Sequence, residues 1–186
     1  METQKLFTGK TEAEVWKQIA ADLKKDSDVY DYNAVIEQNG KKVDLMIDID
    51  LGGGFEGGYE NTGFSAAIAS DTGFRFAVHE DDFIDDIGKF LGLQDVKVGY
   101  TTLDKHLVIK TNDEVKVKAL FAHEKVRDIF EKLNSFHFGV HMHNADETGK
   151  KYPFLELNIE EGITEPDELR KLYSAFYDVL TIIDSF

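Results

Sequence analysis

Val43-Asp44-Leu45-Met46-Ile47-Asp48-Ile49-Asp50-Leu51 is the stretch that decides the fold. Val43, Leu45, Ile47, Ile49 and Leu51 fall on one side of an extended chain, and Asp44, Met46, Asp48 and Asp50 fall on the other. That is the period of a strand with one packed face and one wet, negative face. Asn39-Gly40 stands just before it and tolerates the positive φ that a type I′ turn requires, so 33–38 and 42–51 read as a hairpin. Upstream, Thr11-Glu12-Ala13-Glu14 is a capping box, and Val15, Trp16, Ile19, Ala20 and Leu23 recur at helical spacing, which predicts a helix over 12–25.

Downstream, Gly52-Gly53-Gly54-Phe55-Glu56-Gly57-Gly58 is too rich in glycine for regular structure and reads as a loop. Strands are expected at 63–69 and 74–79. Asp81 or Asp82 then caps a short helix whose stripe is Phe83, Ile84, Ile87, Phe90 and Leu91. Two more strands, at 96–100 and 106–110, lead to a helical region over 113–133. Its two stripes run out of phase and predict a break around Ala122-His123-Glu124. A hairpin of 136–143 and 152–160 follows, and Pro166 sits in the first turn of the last helix, where its missing N–H costs nothing. The expected order is αββββαββαββα, an α+β fold with an antiparallel sheet and helices on one face, in a single domain over 1–186. A ββα pattern at 96–133 and again at 136–185 suggests a weak internal duplication.

The chain has 186 residues, with 21 Lys and Arg against 36 Asp and Glu, a net charge of −15. Such a charge repels nucleic-acid phosphates and anionic lipid headgroups, so neither is an expected partner. No cysteine is present, which removes disulfides, thiolate nucleophiles and cysteine metal sites. Neither a secretory leader nor a membrane span is legible, and the expectation is a soluble, cytoplasmic protein.

Trp16 with Ile19-Ala20 and Leu23, Gly40-Lys41-Lys42-Val43, and Phe74-Arg75-Phe76-Ala77-Val78 lead into the most telling segment. This is Gly88-Lys89-Phe90-Leu91-Gly92-Leu93-Gln94-Asp95-Val96-Lys97-Val98-Gly99 followed by Leu103-Asp104-Lys105-His106-Leu107-Val108-Ile109-Lys110. Together these stretches resemble an uncharacterised bacterial domain family of unknown function, in which a GLQD-x-x-VG segment precedes an FD-x-x-F-V-V strand. The likeness covers 12–133 and reaches the C-terminal 50 residues only by pattern. Leu103 stands where the family usually has Phe, and Tyr100 where an acidic residue is usual. Other members are often membrane-anchored, a segment not expected here. The resemblance implies no catalytic residue.

Three features bear on chemistry. In Phe136-His137-Phe138-Gly139-Val140-His141-Met142-His143 the histidines share one face of a strand, and residues two apart lie ~6.5–7 Å from each other. His141 and His143 are therefore close enough for one metal ion, with Glu156 diagonal to His141 across the hairpin, His137 opposite Asn158 and His141 opposite Phe154. A metal-binding protein or metal-dependent hydrolase is the reading built on that set, against a solvated sheet face. Second, eleven acids and one base lie between Val43 and Gly88, a local charge of −10. Asp81, Asp82, Asp85, Asp86, Asp48 and Asp50 are the candidates for docking a protein with a basic patch; Asp48 and Asp50 beside the glycine loop make only a poor match to a calcium loop. Third, the glycine stretch lacks the helix start and lysine of a phosphate cradle. The leading expectation is a non-catalytic binding domain without a cofactor, beside the metal reading and that of a secretion-chaperone-like acidic module.

Overall fold

The computed structural model describes residues 4–25, 29–53, 57–69, 72–80, 92–144 and 150–186. The helix expected after Asp81 lies outside them. Among the described residues nine strands form one sheet: β1 (Lys5–Gly9), β2 (Asp31–Gln38), β3 (Lys41–Asp50), β4 (Tyr59–Ala67), β5 (Phe76–Glu80), β6 (Gln94–Asp95), β7 (Leu107–Thr111), β8 (Phe136–Asn144) and β9 (Lys151–Ile159). The helices are α1 (Glu12–Leu23), α2 (Thr101–His106), α3 (Glu114–Phe121), α4 (Glu124–Phe130) and α5 (Pro166–Ile183). None of the described helices is long and apolar enough to cross a membrane.

The spatial order is β1-β2-β3-β4-β9-β8-β5-β7-β6, which confirms the α+β class and corrects two details. The sheet is mixed, because β1 pairs parallel with β2 while the other pairs are antiparallel. Helix α1 is the crossover that a parallel pair demands. β1 escapes a reading by periodicity, since five residues on a sheet edge carry too short an alternation. The strand expected at 96–100 is instead a two-residue β6 and a loop leading to α2. Asp104 dictates this: its carboxylate accepts from the backbone N–H of Val98 at 2.8 Å and of Gly99 at 2.9 Å, and Gly99 has φ 93. That bend, a conformation glycine adopts cheaply, ends extended structure there.

Local chemistry accounts for most other boundaries. Thr11 Oγ1 accepts from the Glu14 N–H while the Glu14 carboxylate accepts from the Thr11 N–H, so the capping box is complete. Asn39 and Gly40 both take positive φ in the β2–β3 turn. The break between α3 and α4 falls at Ala122-His123, where the Arg127 guanidinium donates to the carbonyls of Phe121 and Ala122 at 2.8 and 2.7 Å and satisfies the helix end.

One face of the sheet holds the core. The register aligns Ala34, Leu45, Phe64, Leu157, Phe138, Val78 and Ile109 in a single row across seven strands, all buried. All five described helices join the same cluster. Aromatic rings run through it: Trp16 to Tyr173 at 5.5 Å, Phe64 to Phe176 at 5.9 Å, and Phe138 to Phe130 at 4.6 Å and to Phe76 at 5.3 Å. Offset and edge-on pairs of this kind add ~0.5–1.5 kcal/mol each beyond burial. Lys41 in β3 pairs with Asp184 just past α5, and Asp184 also accepts from the Ala69 N–H at 3.2 Å, which ties the last helix to the sheet. Thr62 is buried, donates to the Glu161 carbonyl and accepts from Ile163, fixing the β9–α5 connection. Val43, Leu45 and Ile47 face the same core as Phe136, Phe138 and Val140, as the alternation predicts, whereas Ile49 is half-buried near the end of its strand.

Candidate functional site

Alternation that sends Val43, Leu45 and Ile47 inward sends Asp44, Met46, Asp48 and Asp50 to the opposite face, and no described helix packs there. Across β2, β3 and β4 this open face carries Asp31, Glu37, Asp44, Asp48 and Asp50 against one base, Lys42, whose Nζ is 3.9 Å from Glu37. Three exposed hydrophobic side chains stand among these carboxylates, Leu6, Met46 and Tyr59, and exposed Tyr152 lies further across the same face on β9. Toward β5 the face closes, and Ala77 and His79 are buried.

Of the candidate docking residues, Asp48 and Asp50 belong to this face; Asp81, Asp82, Asp85 and Asp86 lie outside the described residues. The two described aspartates are already engaged locally. Asp48 Oδ2 accepts from the Tyr59 hydroxyl at 2.8 Å, and that bond together with the Asp48 charge raises the phenol pKa. Asp50 Oδ1 accepts from the Gly52 N–H at 2.8 Å. Asp44 is also raised: desolvation on the crowded sheet face outweighs the Gln4 amide that donates to it at 3.3 Å. A carboxyl raised in this way gains from a cation brought to it.

The β8–β9 register puts His137 opposite Asn158 and His141 opposite Phe154, as expected. Glu156 then falls between the two candidate ligands. Its Oε1 is 2.9 Å from His143 Nε2 and its Oε2 is 4.0 Å from His141 Nδ1. The imidazoles thus meet opposite oxygens of one carboxylate, whereas a metal ion needs its ligands aimed at one point ~2.0–2.2 Å from each. Among the described residues no group of three or more His, Asp or Glu side chains is placed to hold a metal ion.

What the alternation leaves unannounced is the wall around Glu156. Ser65, Ala67 and Ile68 from the β4 side and His143, Tyr152, Phe154 and Glu156 from the β8–β9 hairpin enclose a hollow of about 490 Å³. The Phe154 ring meets His143 edge-on at 5.1 Å. Tyr152 was legible as a residue on the histidine face of β9; its convergence with Ser65 was not, because the β4–β9 pairing joins strands more than 80 residues apart. A larger hollow of about 1130 Å³ lies between α4 and α5, and charges of both signs line it. Arg170 Nε is 2.7 Å from Glu12, and Lys125 Nζ is 2.7 Å from Asp178. That cleft mixes four bases with its acids, unlike the nearly single-sign face of β2 and β3. Comparison with protein-family models, with curated proteins and with solved structures returned no match for this chain.

Proposed function

We propose that this chain is a non-catalytic binding domain that engages a basic protein partner on the face of its sheet where no described helix packs. One observation carries the reading: on the described strands β2 and β3, five carboxylates share that face with one base, Lys42, next to exposed Leu6, Met46 and Tyr59. Exposed apolar side chains ringed by one sign of charge mark interaction surfaces, and the charge selects the partner's sign. Against catalysis, Ser65 is the hydroxyl closest in register to Glu156, yet β4 is paired on both sides, so its backbone N–H groups are spent on the ladder instead of forming an oxyanion pocket. Membership of the family that the 88–110 segment resembles is part of the proposal and assigns no residue a role.

The test compares two variants of equal charge change, Asp44→Asn/Asp48→Asn/Asp50→Asn on the open face and Glu161→Gln/Asp167→Asn/Glu168→Gln elsewhere. Each is used to capture and identify partners from host extract at low and high salt. The expected result is a basic protein retained by the wild type and the second variant, lost by the first, and weakened by salt. Equal loss in both variants would reduce the effect to net charge and overturn the reading.

A further inference from the structure

Glu156 is a carboxylate in need of a cation. Its side chain is only 19% exposed, and among the described residues its ion pairs are with His141 and His143, imidazoles instead of permanent cations. Aromatic surface flanks it, Phe154 beside it and Tyr152 one pair further along β9. This wall already accepts a positive charge: Lys150 Nζ sits 4.8 Å from the centroid of the Tyr152 ring. A planar guanidinium suits the place better than an ammonium, because it stacks on a ring and meets both oxygens of a carboxylate at once. The hollow, about 490 Å³, is large enough for a guanidinium and its stem.

Building on the binding reading above, we propose that this hollow is the seat of an arginine side chain of the basic partner, held by Glu156 and stacked on Phe154, with its guanidinium taking the place that the His143 imidazole holds 2.9 Å from Glu156 Oε1. The sheet also fixes where the next positive charge belongs. Asp44, Ser65 and Glu156 form one cross-strand row, so Asp44 stands two strand spacings, about 9.5 Å, from Glu156. Side chains of an extended segment return to the same side every second residue, ~6.6–6.8 Å, and the long basic stem reaches across the remainder, which gives the partner the pattern Arg-x-Lys or Arg-x-Arg.

The experiment titrates the full chain, observed by amide and aromatic NMR signals, with an acetylated, amidated Gly-Arg-Ser-Lys-Gly peptide and with versions carrying citrulline or lysine in place of arginine. Citrulline keeps the shape and removes the charge. Shifts are expected at Tyr152, Phe154, His143 and Ser65 with the arginine peptide and not with the citrulline one. Glu156→Gln weakens binding by about tenfold with the rest of the spectrum unchanged, and Lys150→Gln, which removes the resident cation, strengthens it by about threefold. Equal binding of the citrulline peptide, or an unchanged affinity in a folded Glu156→Gln protein, overturns the seat; equal binding of the lysine peptide overturns the choice of arginine. If the seat fails while the Asp44/Asp48/Asp50 variant still loses its captured protein, the wider reading stands without it.

Discussion

Truncating Phe138 to alanine tests whether the sheet and helices share one core. Phe138 is 2% exposed, stacks on Phe130 at 4.6 Å, meets Phe76 edge-on at 5.3 Å and lies 6.4 Å from Phe176. Phe→Ala in a core costs ~3–5 kcal/mol through lost transfer energy and the cavity left behind. Two close ring pairs at ~0.5–1.5 kcal/mol each place this site near the upper end, about 4–5 kcal/mol. Phe138→Leu keeps most of the apolar volume and is expected to cost about 1–2 kcal/mol. Urea unfolding followed by Trp16 fluorescence reads both, with a common slope as the sign that the same surface unfolds. A domain is stable by only ~5–15 kcal/mol, so Phe138→Ala should unfold at much lower urea. A cost below about 1.5 kcal/mol, or equal costs for Ala and Leu, would refute the packing of α4 and α5 across β8.

Three further outcomes follow from particular groups. Among the described residues the buried Trp16 indole N–H has no hydrogen-bond partner, so Trp16→Phe trades a smaller ring against relief of an unsatisfied donor and should change stability by less than about 1.5 kcal/mol in the same urea assay; a loss above about 3 kcal/mol would contradict that balance. Burial alone would raise the carboxyls of Glu12 and Asp22, but donors from Ser174 and Arg170 and from Lys5 and Lys25 hold both below their ordinary values. Their stabilisation is therefore complete above the unfolded pKa and lost as the pH falls below about 4; thermal melts should hold steady from pH 7 to about 5 and then drop, and the drop should shrink in Arg170→Leu. Elemental analysis of purified protein should find no stoichiometric zinc, whereas about one zinc per chain that disappears in His141→Ala would restore the metal reading.

Much of this fold is written in local patterns. The capping box at Thr11, the Asn39-Gly40 turn, the alternation of β3, the out-of-phase stripes around His123 and Pro166 at the start of α5 each act over a few residues and can be read directly. The long-range pairings are different. β5 enters the sheet between β7 and β8, and β9 joins β4 across a long stretch of chain; a strand's own sequence says which face is apolar but not which neighbour it takes. The candidate site divides the same way. His141, His143 and Glu156 meet because one hairpin register brings them together, and that register follows from matching apolar faces. Ser65 and Ala67 complete the hollow only through the β4–β9 pairing, and Met46 and Tyr59 become part of a surface only once the described helices are known to lie on the other side.

The most direct test is the footprint of the partner on the full chain. The partner captured by the wild-type protein is added back at low salt, and the amide signals and the Met46 methyl signal are followed by NMR. The account predicts perturbations at Asp44, Met46, Asp48, Tyr59, Ser65 and Glu156, residues far apart in sequence that share one sheet face. Perturbations confined to the α4–α5 cleft, around Lys125, Asp128 and Lys171, would place the partner on the helical side and contradict the central claim.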